Sequence, residues 1–338
     1  MLMQSMQNAN FNLVLTYRCN FSCDHCLSNC GPNRKETMSL EQARYYIDET
    51  VSNIKVHNVG FTGGEVFLCY DLVRELTDYT YQQYGIPGGV VTNCFWANSR
   101  ETAKQIITEL YHSGLRTMVV SCDSFHLQYV PAESIRRVVH QALALGISVT
   151  VNTVVTKDGS ICKNDIPNLL ALSPADMQNN LILKEIGPLR LGRAAQAIRS
   201  ENYIDTQHEQ YFNGSCPFVM VTPTITPNGC MYACCCFGDA EVNSSDLIGY
   251  CGNANKEPLG QVYYKMQNNL LFHLLSRHGP YSLLKTVKEK RPDLKVRERY
   301  LGTCDVCVEL YHNLEVRSAL VEYLSGISAV PAPAAAGS

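Results

Sequence analysis

The chain lacks long apolar segments and any strong excess of charge. No run approaches the roughly 18 apolar residues that a membrane-spanning helix needs. The first ten residues are polar and uncharged, unlike a secretory signal peptide. Lysine and arginine number 28 against 31 aspartates and glutamates, a formal net charge of −3, so no basic field invites a nucleic acid. We therefore expect a cytoplasmic protein that binds neither a membrane nor a nucleic acid.

Cysteine, in contrast, is abundant, with 16 in 338 residues. Stable disulfides are rare in a reducing compartment, so the thiols need another explanation. They cluster over residues 19–30, over residues 216–236, and at Cys304 with Cys307. Isolated cysteines in apolar surroundings behave as small hydrophobic residues of the core. The clusters therefore indicate metal sites.

Strand-like and helix-like stretches alternate through the first 190 residues. Strand patterns cover residues 11–16, 57–62, 89–93, 117–121, 147–155 and 181–186. Helical patterns cover residues 40–53, 71–84, 101–112, 131–145 and 165–172. This alternation predicts an α/β fold with a parallel sheet, and its length suits a partial (β/α)6 TIM-like barrel. A doubly wound sheet is the alternative, but no G-x-G-x-x-G motif follows the first strand.

Composition changes along the chain and predicts three regions. Residues 1–195 hold the barrel. Residues 196–325 are punctuated by proline and glycine, include a helix-rich stretch at about 259–290, and indicate a smaller module that its own metal helps to fold. Residues 326–338 are rich in proline, alanine and glycine and indicate a disordered tail or an expression remnant.

Cys19, Cys23 and Cys26 form a C-x3-C-x2-C motif directly after the first strand. Thiolates favour soft metals and iron–sulfur clusters. Three ligands for a four-iron cluster leave one iron open to a small molecule. A zinc site is the alternative, but structural zinc favours four ligands in paired spacings. The motif therefore predicts an iron–sulfur cluster with one free coordination position.

Further polar residues follow the other strands. Gly63-Gly64-Glu65 comes after the second strand, Ser121 ends the fourth, and Asn152 lies near the end of the fifth. The carboxyl ends of parallel strands meet at one edge of a barrel, where active sites form. Glycines allow a ligand to approach the backbone closely, so the carbonyls of Gly63 and Gly64 with the Glu65 carboxylate can hold an ammonium group. Strand-end capping is the alternative for Ser121 and Asn152.

The cysteine motif followed by a Gly-Gly-Glu turn resembles the radical S-adenosylmethionine (SAM) superfamily over residues 11 to about 195. The resemblance implies that Cys19, Cys23 and Cys26 hold a [4Fe–4S] cluster whose fourth iron binds SAM. It implies reductive cleavage of SAM to a 5′-deoxyadenosyl radical, fed by an external flavodoxin- or ferredoxin-like electron donor. It further implies that Ser121 and Asn152 contact the ribose and carboxylate of SAM, and that Arg193 lies beside it.

The later cysteines follow a second pattern, C-x12-G-x4-C with a late C-x2-C, in which Gly229 is the glycine. Spacing alone is compatible with a four-iron cluster or with zinc. The pattern resembles the twitch version of the SPASM extension of radical SAM peptide-modifying enzymes. That resemblance implies one auxiliary [4Fe–4S] cluster with the ligands Cys216, Cys234, Cys304 and Cys307. Alternative ligands are Cys230, Cys236 and Cys251.

Several strings resemble the radical SAM peptide epimerase of the epipeptide pathway, including Asp123 with His126 and the pair Cys234-Cys235. The resemblance implies L-to-D epimerisation of a ribosomally made precursor peptide, with Cys235 as hydrogen-atom donor. No acidic residue follows Cys216-Pro217, unlike in the epimerase, which leaves a different substrate or reaction open. The main alternative is a peptide-crosslinking enzyme, thioether or carbon–carbon, whose auxiliary cluster accepts an electron. An electron carrier or a zinc-stabilised binding module would leave the Gly-Gly-Glu turn without a role.

Overall fold

The computed structural model describes residues 9–178, 180–235 and 249–328. Cys236, one of the alternative auxiliary ligands, lies outside the described residues. Residues 329–338 of the expected tail also lie outside them.

Six parallel strands form a sheet in which neighbours follow chain order. They are β1 (Ala9–Thr16), β2 (Val56–Gly63), β3 (Gly88–Thr92), β4 (Leu115–Ser121), β5 (Ser148–Val154) and β6 (Leu181–Ile186). Parallel neighbours in chain order require a crossover after each strand. The predicted partial (β/α)6 barrel is confirmed, with strand ends that differ from the predictions by one or two residues.

The crossovers are helices that begin and end where the sequence gives a local reason. They are α1 (Leu40–Asn53), α2 (Tyr70–Tyr84), α3 (Arg100–His112), α4 (Ala132–Ala144) and the short α5 (Ile166–Leu169). The Ser39 hydroxyl accepts the Gln42 N–H and caps α1, while Gly85, with φ of 67°, ends α2 in the left-handed conformation. Apolar side chains on one face of each helix cover the sheet, among them Ile47 and Leu76.

The sheet continues beyond the barrel on the free side of β1. Strand β7 (Thr224–Ile225) pairs parallel with β1, and β8 (Cys230–Tyr232) and β9 (Tyr250–Asn253) follow as antiparallel neighbours. Nine strands therefore share one sheet among the described residues. The sequence did not predict this continuation, and the division into domains at residue 195 stays a prediction.

The remaining helices surround the later strands and the chain end. They are α6 (Ala194–Ala197), α7 (Leu259–Gln267), α8 (Leu270–Lys290), α9 (Thr303–His312) and α10 (Leu314–Ser328). Helix α8 is kinked at Gly279, with φ of 77° and ψ of 166°, directly before Pro280. A Cβ at Gly279 would clash with the Gly214 carbonyl oxygen, so only glycine fits there. In the described part of the chain, no helix combines the length and apolarity that crossing a bilayer requires.

The strand directions define two ends of the barrel. We call the carboxyl ends of β1–β6 the upper end and their amino ends the lower end. Because β8 runs antiparallel to β7, the chain leaves β8 toward the lower end. There Thr222 Oγ1 accepts the Cys235 N–H at 3.2 Å, and Val221 O accepts the Asn10 N–H of β1 at 2.8 Å. Cys235 and the Cys19 loop therefore lie at opposite ends.

Candidate active site and cysteine clusters

The loop after β1 gathers the three predicted cluster ligands at the upper end. Cys19 and Cys23 are buried and Cys26 is half-buried. Backbone N–H groups point at two of the sulfurs, from Phe21 to Cys19 Sγ at 3.4 Å and from Cys30 to Cys26 Sγ at 3.3 Å. Hydrogen bonds to ligating sulfurs are a usual feature of iron–sulfur sites. The loop is thus shaped as a thiolate donor set.

Burial and hydrogen bonding set the pKa values of these thiols. Burial raises the pKa of Cys19 to about 12 and raises the pKa of Cys23 further. Hydrogen bonding from the Cys30 thiol is the main reason why the pKa of Cys26 is lowered to about 6. Only thiolates bind iron, so ligation by Cys19 and Cys23 has to displace their protons.

The Gly63-Gly64-Glu65 turn packs directly against this loop. Thr16 O accepts the Gly64 N–H at 2.7 Å, and Arg18 O accepts the Glu65 N–H at 3.0 Å. A Cβ at Gly64 would lie 2.7 Å from the Arg18 carbonyl carbon and 2.9 Å from Cys19 Cβ, and one at Gly63 would clash with Thr16 O. The turn therefore requires glycine for contact with the cysteine loop.

Glu65 has no solvent exposure and joins two loops of the upper end. Its carboxylate accepts hydrogen bonds from Phe67 N at 3.1 Å, Thr92 Oγ1 at 2.9 Å and Asn93 N at 2.7 Å. Burial raises its pKa to about 7 in spite of these donors. The structure thus gives Glu65 a supporting role after β2 and β3, and its contact with a ligand ammonium stays a prediction.

Ser121 and Asn152 are direct neighbours on β4 and β5. Neither the strands nor the loops in the described residues supply a donor for Asn152 Oδ1, which is buried. A buried acceptor without a partner is unfavourable, so the position suits a ligand that donates a hydrogen bond. The arrangement fits a polar cofactor, and the individual contacts stay predictions.

Arg193 holds the cysteine loop from behind. Its guanidinium donates to Cys23 O at 2.7 Å and Cys30 O at 2.6 Å, and its N–H donates to Cys26 O at 2.9 Å. A Cβ at Gly192 would lie 2.7 Å from Cys26 O, so this contact also needs a glycine. The resemblance implied that Arg193 lies beside SAM, and this stays a prediction. In the structure, Arg193 fixes the loop that carries Cys19, Cys23 and Cys26.

A histidine cluster beside Cys23 was not predicted as part of the site. Asp123 is buried and accepts His126 Nδ1 at 2.9 Å, together with the N–H groups of Phe125 and His126 at 3.0 Å. The possible ligand atoms of Cys23, His25 and His126 lie within 4.8 Å of one another. Burial lowers the pKa of His25 to about 4, so its ring is neutral at physiological pH. The D-x-x-H string after the fourth strand was the available signal.

The second predicted cysteine set also converges. Cys216, Cys234, Cys304 and Cys307 all line one cavity. Its other walls are largely apolar and include Phe218, Val219, Phe272, Leu275 and Pro280. Four thiols around a largely apolar cavity fit a four-iron cluster, and the same donors would also suit zinc. The sequence pattern thus identified residues that meet from three separate segments.

A buried ion-pair network anchors the late cysteines. Asp305, between Cys304 and Cys307, accepts Arg190 Nη1 at 2.7 Å, Arg297 Nη1 at 2.9 Å and Leu301 N at 3.1 Å. Arg190 follows β6, so this carboxylate ties α9 to the barrel. Arg190 and Asp305 are 115 residues apart in the chain, so no local sequence pattern predicts their pairing.

The alternative ligands occupy other places. Cys230 Sγ accepts Asn253 Nδ2 at 3.4 Å, and the Cys251 thiol donates to Gly249 O at 3.2 Å. Neither of these two lines the four-cysteine cavity. Cys235 is exposed and adjoins Cys234, which does line it.

Residues 13–160 match the family model described as the radical SAM superfamily. The match spans β1–β5 and includes the Cys19 loop, the Gly-Gly-Glu turn, Ser121 and Asn152. The resemblance seen in the sequence is therefore confirmed at the level of this domain.

Two curated proteins and one solved structure are similar to the chain. The putative peptide biosynthesis protein YydG of Bacillus subtilis (strain 168) is 24% identical over 94% of this chain and 97% of its own length. The mycofactocin maturase MftC of Mycolicibacterium smegmatis is 40% identical over 19% of this chain and 16% of its own. The structure of SuiB from Streptococcus suis, bound to its precursor peptide SuiA, covers 81% of this chain and 68% of its own at 16% identity, with a TM-score of 0.56. The last similarity shows the shared fold.

Proposed function

Because residues 13–160 form a radical SAM domain, we propose that the chain modifies a ribosomally made precursor peptide by converting an L-residue to a D-residue. An enzyme that acts on a peptide is supported by the similarity to YydG along almost the whole length of both chains. The SuiB structure, which holds its own precursor peptide, shares the fold.

The convergence of Cys216, Cys234, Cys304 and Cys307 on one cavity carries the proposal, because Cys235 directly follows one of these four thiols in the chain. The first site has the features that its cofactors need. The Cys19 loop offers three thiols, and the Gly63-Gly64 turn adjoins them. Asn152 Oδ1 is a buried acceptor to which none of the described residues donates. These residues fit a [4Fe–4S] cluster and SAM at the upper end, and the four-cysteine cavity fits an auxiliary cluster.

When bound and reduced, the cluster with SAM supplies a radical that removes a hydrogen atom from an unactivated C–H bond. Arg193 fixes the loop that carries Cys19, Cys23 and Cys26, and the glycine turn closes against this loop. The late cysteines, Cys304 and Cys307, are held by the Asp305 network. We infer that these contacts keep both sites rigid while the substrate lies between them.

Cys235 is the proposed hydrogen-atom donor to the peptide. Its S–H bond breaks as a new C–H bond forms at the peptide α-carbon, on the face opposite to the one that lost hydrogen. The thiyl radical that remains returns to a thiol by taking up one electron from the external flavodoxin- or ferredoxin-like donor and one proton from solvent. Exposure of Cys235 and its place at the lower end support a delivery from that side.

The test uses reconstituted protein, SAM, dithionite, and synthetic copies of the short open reading frames that adjoin its gene, in D2O. Wild-type protein should install one solvent deuterium at an α-carbon and yield a D-residue after hydrolysis. Cys235→Ala should still form 5′-deoxyadenosine but yield no D-residue, while Cys162→Ala, a half-buried cysteine outside both clusters, should behave as wild type. Undiminished D-residue formation by Cys235→Ala would exclude the donor role.

Crosslinking of the peptide is the second candidate. The sequence supports it because no acidic residue follows Cys216-Pro217. The same assay separates the two reactions by mass, since crosslinking removes two hydrogen atoms from the peptide and epimerisation in H2O leaves the mass unchanged. A product lighter by two hydrogens, formed equally well by Cys235→Ala, would establish the crosslinking reaction.

A further inference from the structure

The two faces of the barrel sheet can be told apart at two consecutive glycines of β3. A Cβ at Gly88 would lie 2.9 Å from Thr77 Cγ2, and Thr77 belongs to α2. Gly88 therefore faces the helices, and Gly89 faces the barrel interior because successive strand residues alternate. A Cβ at Gly89 would meet two other interior side chains, clashing with Thr117 Oγ1 and lying 3.3 Å from Asn58 Nδ2.

The strand register identifies the residues that lie level with Gly89 on the neighbouring strands. Across β7, β1, β2, β3, β4 and β5, the aligned residues are Thr224, Asn12, Gly60, Gly89, Thr117 and Ser148, which we call the polar layer. Every member is glycine or a small polar residue. The interior of a full TIM barrel is instead packed with bulky branched side chains. A Cβ at Gly60 would clash with Asn12 Oδ1, so the Asn12 side chain lies over Gly60 on the interior face of the sheet.

The polar layer lies between the Cys19 loop at the upper end and Cys235 at the lower end. Asn12 is four residues below Thr16, where β1 ends beneath the Cys19 loop, and two above Asn10, which is bonded to Val221. At about 3.3 Å per residue, the layer is roughly 13 Å below the upper end of β1 and roughly 7 Å above Asn10. A substrate reached from both ends would have to lie near this level.

Asn58 is the residue of this wall that most needs a partner. It pairs with Asn10 in the strand register, faces the interior beside Gly89, and is partly exposed. Its Oδ1 is buried, and none of the residues that the structure describes donates to it. Rotation of the terminal amide, a soft torsion, can turn this acceptor toward the interior. A peptide backbone offers an N–H at every residue, so it supplies the missing donor.

We propose that the polar layer seats the backbone of the substrate segment and that Asn58 is a positioning residue, accepting a hydrogen bond from a substrate N–H. The inference rests on the proposed function and names the residues that hold its peptide. It predicts that removing the acceptor weakens peptide binding without harming the fold. An acceptor that serves only the fold would give the opposite result, because its removal would lower stability.

The experiment compares Asn58→Leu with His57→Ala, the neighbouring exposed residue on the other face of β2. Reconstituted proteins are titrated with a fluorescein-labelled peptide. The peptide is the open-reading-frame product that the wild-type protein modifies. If it modifies none of them, the peptide that it binds most tightly is used. Thermal unfolding and peptide-free 5′-deoxyadenosine release are measured alongside. Asn58→Leu should bind the peptide about tenfold more weakly, with an undiminished unfolding midpoint and wild-type peptide-free SAM cleavage. His57→Ala should match wild type in all three.

Wild-type peptide affinity in Asn58→Leu would overturn the proposal and leave the proposed function intact. A lowered midpoint with unchanged affinity would overturn it too, since Asn58 would then serve the fold. Weaker binding by Asn58→Leu of a peptide that wild type binds but does not modify would support the seat while contradicting the proposed function. Thr117→Val, which keeps the side-chain volume and removes a polar-layer hydroxyl, should weaken binding severalfold and gives a second variant if Asn58→Leu fails to fold.

Discussion

Replacement of Asp305 by asparagine tests how the late cysteines are held in place. The Asp305 carboxylate is fully buried and receives two arginines and one backbone N–H. Asparagine keeps the shape of the side chain but removes its charge. It also turns one acceptor into an NH2 group that faces an arginine donor.

The magnitude follows from the exposure of the partners. Removing one partner of a buried ion pair costs about 3–5 kcal/mol. The side chains of Arg190 and Arg297 are 20% and 29% exposed, so water can compensate part of their loss. We therefore expect a cost near the lower limit, about 3 kcal/mol, which is a large share of the 5–15 kcal/mol that stabilises a typical domain.

The assay is iron content after anaerobic reconstitution, combined with thermal unfolding. Two four-iron clusters give about eight irons per chain, and Asp305→Asn should retain about four. Peptide-free 5′-deoxyadenosine release should persist, because the Asp305 carboxylate bonds to Arg190, Arg297 and Leu301 and not to the Cys19 loop. Asp293→Asn is the matched control, since Asp293 also pairs with an arginine, Arg291, but on the surface. Full iron content and a wild-type unfolding midpoint in Asp305→Asn would refute the anchoring role.

Three further predictions concern the Cys19 loop. Gly64→Ala should lower the iron content to about four per chain, because its Cβ would lie 2.9 Å from Cys19 Cβ. Gly326→Ala, with open space around it, should keep the full iron content. Equal iron content in the two variants would contradict the packing argument. Arg193→Met should weaken SAM binding by at least about tenfold in equilibrium titrations, because the Cys23 and Cys30 carbonyls lose their donors, whereas the exposed Arg199→Met should not. The rate of cluster assembly, followed by absorbance, should be higher at about pH 8.5 than at about pH 7. Burial raises the pKa of Cys19 and Cys23, and only the thiolate form binds iron. Equal rates at the two pH values would contradict the argument that these protons limit assembly.

The barrel was predictable from sequence because its signals are local. Alternating patterns of strand and helix predicted the (β/α)6 order, and the helical pattern over residues 40–53 has the same bounds as α1. The pairing of β7 with β1 was not predictable in this way. It joins residues 12 and 224, and β7 is only two residues long.

The residues of the candidate site also differ in how far the sequence predicted them. The resemblance to the twitch extension predicted four cysteines that the structure brings to one cavity. This prediction was possible because iron–sulfur clusters are held mainly by cysteine thiolates, whatever the path of the chain between them. The supporting residues were harder to foresee. Arg193 and Asp305 act through partners 163–170 and 115 residues away, and Glu65 supports two loops where the sequence indicated only a contact with a ligand. Long-range hydrogen bonds leave no periodic trace in a sequence.

The kink in α8 has a consequence for how such sites should be recognised. At the break, Gly279 makes room for the Gly214 carbonyl, and the preceding turn of α8 offers the Leu275 carbonyl to the Cys216 N–H at 2.9 Å. Cys216, the first cysteine of the four-cysteine cavity, is therefore oriented by a glycine more than sixty residues later that has no metal chemistry of its own. A genome survey that scores only cysteines would accept sequences in which that glycine has been lost. Adding the glycine as a required position would separate chains able to assemble the second site from chains that merely retain its thiols.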